Sequence, residues 1–253
     1  MVMGRSTVAS AFMAPRRADG DRSGRARVAL AGLAVLLVAT AFVSLAAGAS
    51  DASIFGVLGR MLGGTEAGLS HRDAVIIYDI RLPRVLLGAL VGAALAVSGA
   101  LMQGLFRNPL ADPAIVGVSA GASLGAVSVI VLGATVLAPV TAFFGIFALP
   151  LADFAGALVV TLALYRISTR RGRTSVATML LAGIAVGAMA MAFTGLLIFA
   201  ADDRQLRELT FWTLGSLAGS TWTKLWAAAP IILAAFALSP FLARGLNALA
   251  LGE

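Results

Sequence analysis

The sequence predicts an all-α fold, a polytopic bundle of membrane-spanning helices with a cytoplasmic N-terminus. Three observations carry this. The 253 residues are 60% hydrophobic and only 12% charged, with a mean hydropathy of +0.96, whereas soluble domains average roughly 25% charged. Six apolar runs are long enough, at about 1.5 Å rise per residue, to cross a hydrocarbon core of about 30 Å. Lysine and arginine are shared unevenly between the segments that alternate between those runs.

Taken in order, the expected spans are Val28–Ala49, Val85–Phe106, Ala114–Ala138, Val140–Tyr165, Val176–Ala201 and Leu225–Leu242. Residues 1–27 precede them as a basic cytoplasmic segment, and 28–253 form the membrane domain. The first run holds 22 residues, longer than the 7–15 of a signal-peptide core, so Ala47-Gly48-Ala49 reads as the end of a span and not as a cleavage site. Arg16-Arg17 reads as positive-inside charge. The second run, between Arg84 and Arg107, has no charge in 22 residues. Its Gly88 and Gly92, four apart, clear one face for close approach of a neighbour.

Asn108-Pro109 ends the second span, and Asp112-Pro113 reads as an N-cap followed by proline at the first helical position. From Ala114 to Tyr165 the 52 residues contain one charge, Asp153, and divide at Pro139 into two spans and a tight turn. Gly117, Gly121 and Gly125 repeat every four residues, as do Gly183 and Gly187 in the fifth span, which predicts smooth ridges for helix packing. Between the fifth and sixth spans, the polar stretch 202–208 leads into 209–217, which is amphipathic and aromatic. Trp212, Trp222 and Trp226 cluster here, as expected of an interfacial helix in an outer aromatic belt.

With the N-terminus inside, twelve Lys/Arg lie on inner segments and seven on outer ones. Acidic residues reduce the outer total to zero and the inner one to +8. This orientation places Arg81 and Arg84 outside and the Asn108–Pro113 turn inside. It also accounts for the net charge of +7 without nucleic acid, whose binders gather basic residues on one solvated face.

The sequence excludes several chemistries. With no cysteine, disulfides, thiolate metal sites and cysteine nucleophiles are ruled out. Gly117-Val118-Ser119-Ala120-Gly121 fits G-x-S-x-G, but a hydrolase elbow needs a strand-to-helix turn and a histidine base. The single histidine, His71, falls in an outer loop while Ser119 lies near the inner start of the third span. Asp153 is the one carboxylate inside a span, close enough to Pro150 to read as interfacial. No G-x-x-x-x-G-K-[ST] occurs, so nucleotide hydrolysis would belong to a partner chain. The scarcity of intramembrane charge argues against a proton or sodium relay. No catalytic residue, cofactor or metal is expected.

Several segments together resemble the FecCD-type permeases of iron-complex and cobalamin ABC importers. They are RLPR at 81–84, SGALMQGLFRNPLADP at 98–113, GVSAGASLG at 117–125, TSVATMLLAGIA at 174–185, FWTLGSLAG at 211–219 and LNALALGE at 246–253. The wording of VIIYDIRLPR and DDRQLRELTFWTLGSL is most similar to the haemin branch. The resemblance implies a homodimeric inner-membrane permease, served by cytoplasmic ABC ATPase subunits and an extracytoplasmic substrate-binding protein. Its cargo would be an iron complex, haem first, with siderophore or cobalamin as alternatives. An ATP-independent channel or secondary carrier is the rival class.

The resemblance also implies residue roles. Arg81 and Arg84 would dock acidic residues of the binding protein, the alternative being plain helix-end anchors. The fifth span would help line the pathway. Leu246, Asn247, Ala248, Leu249, Gly252 and Glu253 would open the segment that couples to the ATPase. Such permeases have about ten membrane-length helices, so a chain with six is expected to be C-terminally truncated.

Overall fold

The computed structural model of the chain describes residues 23–48 and 71–251. The basic residues before Ser23, the outer-loop stretch 49–70, and Gly252 and Glu253 lie outside the described residues. The chain divides into two compact units, one up to Ile77 and one from Tyr78 onward.

In the first unit, α1 covers Ser23–Ala46, 24 residues with no buried side chain. A largely apolar helix of about 36 Å by the 1.5 Å rise, exposed along most of its length, fits lipid and not water. Thr40 turns its hydroxyl back to the Leu36 carbonyl at 2.7 Å, which satisfies it without a partner helix.

A short α2 (His71–Ala74) leads through a π-helical stretch, Val75–Arg81, into α3 (Leu82–Phe106). Pro83 stands within the first two positions of α3 and is buried. Its nitrogen cannot donate to the Asp79 carbonyl, and its ring would crowd that carbonyl in a regular α turn. The wider π turn relieves both problems. Arg107 closes α3 in a left-handed conformation, φ 49°.

The expected inner turn is present. Asn108 Oδ1 accepts from the Leu110 N–H at 2.9 Å, and Asp112 Oδ1 accepts from Ala114 N–H at 2.7 Å. Beyond this turn the chain departs from the expected third span, Ala114–Ala138. Pro113–Val116 is a 3₁₀ turn, and α4 runs only from Val118 to Leu132. At 15 residues α4 is about 22 Å long, short of the hydrocarbon thickness. Five helical stretches among the described residues, and not six, are long and apolar enough to span: Ser23–Ala46, His71–Phe106, Ala138–Ser168, Val176–Phe199 and Trp222–Ala248. The backbone reverses at Gly117, φ 76°, and that turn shortens α4 at its start.

After α5 (Ala138–Phe144) and a 3₁₀ turn, α6 (Ala148–Ser168) returns across the bundle. A two-residue-per-strand hairpin, β1 (Thr169–Arg170) with β2 (Arg173–Thr174), comes next in antiparallel register. Arg171 and Gly172 at its tip have φ of 52° and 75°, the two positive values that a tight primed turn requires. The helices α7 (Val176–Phe199), α8 (Asp203–Leu214) and α9 (Trp222–Leu251) complete the chain.

The short α4 is the most buried helix and packs against α6 and α7. A Cβ at Gly121 would meet the Gly156 carbonyl at 2.7 Å, and one at Gly125 would meet the Ala152 carbonyl. Across α7, a Cβ at Gly183 would stand 3.1 Å from the Val116 backbone, and one at Gly187 would lie 3.6 Å from Gly117 Cα. These backbones touch because no side chain intervenes, which gives dispersion contact where lipid offers no hydrophobic drive between helices. Gly117, Gly121, Gly125, Gly183 and Gly187 all lie at close backbone contacts in the chain. Gly88 and Gly92 do not form a helix seam: Gly88 receives Leu217 from a turn, and a methyl at Gly92 would meet nothing within 4 Å.

Two apolar clusters stand at opposite ends of α4. Val116, Val160 and Leu164, with Phe106 and Met179 against them, occupy one. Val127, Ile130, Val131 and Leu209, with Leu149, Leu197 and Trp212, occupy the other. Every member of the first lies toward the inner side in the charge-based orientation, and every member of the second toward the outer side. The pairings thus follow the alternating up-and-down order of the apolar runs.

Candidate functional site

The outward face is built from the start of α3 and the turn that joins α8 to α9. The sequence of that turn, Gly215 to Thr221, directs three successive carbonyls at side chains. Leu217 O accepts from Arg84 Nε at 3.2 Å and from Ser220 Oγ at 2.7 Å. Ala218 O accepts from Arg84 Nη2 at 3.0 Å, and Gly219 O accepts from Lys224 Nζ at 2.8 Å. The guanidinium fork suits two adjacent carbonyls as it suits a carboxylate, because its N–H groups diverge in one plane. Leu217 also rests its Cδ1 above Gly88, where an added Cβ would come within 3.2 Å.

Arg81 and Arg84 stand three residues apart yet differ in environment. Arg81 ends the π-helical stretch and is 6% exposed, while Arg84 is half-buried with two donors on backbone carbonyls. Trp222 donates its Nε1–H to the Tyr78 carbonyl at 3.0 Å, so it is an anchor between segments. Trp212 packs into the outer cluster, and only Trp226 is broadly exposed, at 68%. Of the three tryptophans expected to form an aromatic belt, Trp212 and Trp222 are thus only partly exposed and have intramolecular partners.

The expected interfacial helix is α8. Asp202 accepts from Gln205 N–H at 2.8 Å, and Gln205 Oε1 accepts from Asp202 N–H at 3.0 Å, a complete capping box. Gln205 Nε2 also reaches across to the Val131 carbonyl at 3.0 Å, tying the start of α8 to the end of α4. Leu209 is the buried residue of α8. Between α8 and the end of α7 lies an apolar groove of about 360 Å³, lined by Ile198, Leu206, Leu209, Thr210, Thr213 and Leu214. The sequence marked the amphipathic stretch but not Gln205, whose double duty depends on a partner 74 residues away.

On the inner side, α9 continues without a break to Leu251, so the 246–251 stretch extends a membrane helix. Leu246 packs on α3, where a Cβ at Gly104 would lie 3.5 Å from its Cδ2. Ser119, the centre of the G-x-S-x-G match, is exposed on the first turn of α4 after a 3₁₀ turn. No strand leads into it, so the hydrolase elbow is absent. Among the described residues no cluster of three or more His, Cys, Asp or Glu could hold a metal.

The comparisons with known proteins bear on this architecture as a whole. The model of the FecCD transport family matches residues 27–253. The chain is 44% identical over 188 residues to the cobalamin import system permease protein BtuC of Halobacterium salinarum, covering 74% of this chain and 48% of that protein. It is 42% identical over 229 residues to the hemin transport system permease protein HmuU of Yersinia pestis, covering 90% of this chain and 64% of that one. A solved metal-chelate type ABC transporter in an inward-facing conformation superposes with a TM-score of 0.72 at 29% identity, covering 89% of this chain and 65% of its own. The chain therefore spans about half to two thirds of the length of these relatives. The tight glycine-packed helices, the outer turn and the family match over nearly every residue lead to one identification: the chain belongs to the FecCD transport family and is a multi-pass protein of the bacterial inner membrane.

Proposed function

We propose that this chain is the permease part of an ABC importer for an iron chelate, with haem as the cargo. The observation that carries the haem reading is coverage. The similarity to the haemin permease runs over 90% of the chain, including the segments before Arg81, while that to the cobalamin permeases covers 73–74%. Cobalamin remains the second reading because the Halobacterium protein reaches 44% identity within its shorter span.

In this reading two copies of the permease enclose a path, and α7 with the apolar groove beside α8 forms part of its wall. The chain lowers no covalent barrier. A binding protein delivers the cargo to the outer face, where the half-buried Arg84 attracts its carboxylates, while Arg81, 6% exposed, would first have to be uncovered. ATP hydrolysis on partner subunits contacting the 246–253 segment drives the path between outward and inward openings. Each ligand acts through its unequal affinity for the two openings.

The test is uptake into proteoliposomes that hold the full-length permease, its ATPase and its binding protein. Haem should accumulate only with ATP and the binding protein present, and more than cobalamin does at equal concentration. Accumulation without ATP would overturn the importer reading, and preferential cobalamin uptake would replace haem. Arg81→Glu should weaken binding-protein association, with the defect shrinking as ionic strength rises above about 0.15 M, where the Debye length is about 8 Å. An unchanged affinity at low salt removes Arg81 from the docking face.

A further inference from the structure

We propose that Arg84 is a positioning residue, a latch that holds the 215–221 turn against the start of α3. An acidic side chain arriving at this face would draw its guanidinium away from the turn. The proposal deepens the importer reading and rests on it for the arriving carboxylate, but the latch itself stands on the chain's own geometry.

The turn has little regular structure of its own. Within it, Ser220 N–H donates to Leu217 O at 3.1 Å and Ala218 N–H to Ser216 Oγ at 3.1 Å. Ser220 Oγ also donates to Leu217 O at 2.7 Å, and further ties come from outside. Arg84 holds two consecutive carbonyls at 3.2 and 3.0 Å, Lys224 holds the third at 2.8 Å, and Leu217 sits in the space that Gly88 leaves open. Two cations thus neutralise three carbonyl dipoles, an arrangement the turn cannot supply for itself.

Arg84 is also the latch that a partner can open. Its acceptors are neutral carbonyls, and an ionised carboxylate would add the attraction of a full negative charge to the same guanidinium donors. The same planar fork fits either acceptor pair, so exchange needs a change of partner and no new side-chain shape. Lys224 and Trp222 still restrain the turn after exchange, since their bonds to Gly219 O and Tyr78 O are independent of Arg84.

The consequence falls on α8, which ends at Leu214 directly before Gly215, φ 71°. Its first turn stays fixed by the capping box and by Gln205 on Val131 O. Its last turn carries Leu214 and Thr213 on the groove and Trp212 against the outer apolar cluster, and it leads directly into the latched turn. Docking would then loosen one end of α8 and leave the other in place.

Hydrogen–deuterium exchange on the full-length permease–ATPase complex in nanodiscs reads this directly. Arg84→Ala should speed exchange of 215–221 and 211–214 by about tenfold or more while 203–208 and α7 keep wild-type rates. Arg84→Lys, which keeps the charge but has no fork, should fall between. Unchanged exchange of 215–221 in both variants would overturn the latch. Should Arg84→Ala fail to assemble, Arg84→Lys alone decides, by the same segment. Adding the binding protein to the wild type should raise exchange in 211–214. Protection there, with the protein bound, would overturn the exchange of partners while leaving the latch intact. Absence of any association would instead count against the importer reading.

Discussion

Gly117 is the residue at which two independent demands meet. Its φ of 76° lies where an L side chain is strained, and an added Cβ would stand 2.7 Å from the Gly183 carbonyl. The conformational cost alone is about 1–2 kcal/mol, and the clash with rigid backbone adds overpacking of about 1–3 kcal/mol. Gly117→Ala should therefore lower the thermal unfolding midpoint of the detergent-solubilised protein by several degrees. Gly92→Ala, where a methyl meets nothing within 4 Å, serves as the control and should leave it unchanged. Equal midpoints for the two variants would mean that the α4–α7 contact is not tight in solution. Spacing alone put both glycines on ridges and offered no means of ranking them. It locates a face, while the neighbour decides whether that face is used.

At the scale of elements, α8 behaves as a helix whose two ends are secured by different means. Its capping box, which the amphipathic pattern alone did not single out, is written in DDRQ, where a carboxylate followed three residues later by glutamine satisfies orphan donors locally. Asp202→Ala should cost about 1 kcal/mol of helix stability, visible as faster amide exchange in 203–206. Gln205→Leu should do more, since it removes the reciprocal cap bond and leaves Val131 O without its donor, a loss of about 1–3 kcal/mol for a buried acceptor. If the two variants are equal, the Gln205 bridge contributes nothing. Similarly, Gly121→Val should separate α4 from α6, because the Val160 side chain and Gly156 carbonyl already occupy the space. A retained melting profile would sink that reading. The π-helical stretch before α3 and the hairpin after α6 were not foreseen. Each arises from a local detail, Pro83 and the Arg171-Gly172 pair, that hydropathy does not weigh.

For the whole molecule, the apolar runs determined that the chain is an all-α membrane protein and located five of the six expected spans, and the distribution of Lys and Arg predicted which way it faces. Transfer free energy and the positive-inside bias depend on composition along the chain, so they are readable without coordinates. The same charges predict an outer position for Arg81 and Arg84 and an inner one for the 246–251 stretch. What only the tertiary structure decided is which groups meet. It shortened the third span to 15 residues, gave Gly88 a leucine from a turn in place of a helix, and ran α9 unbroken through the expected coupling segment as far as Leu251. It also turned a pair of outer arginines into one buried residue and one that grips Leu217 and Ala218. Those partners lie 133 and 134 residues away in sequence. Hydrogen bonds and close packing act over a few ångströms in space, and no pattern along the chain records which distant carbonyl a guanidinium will find.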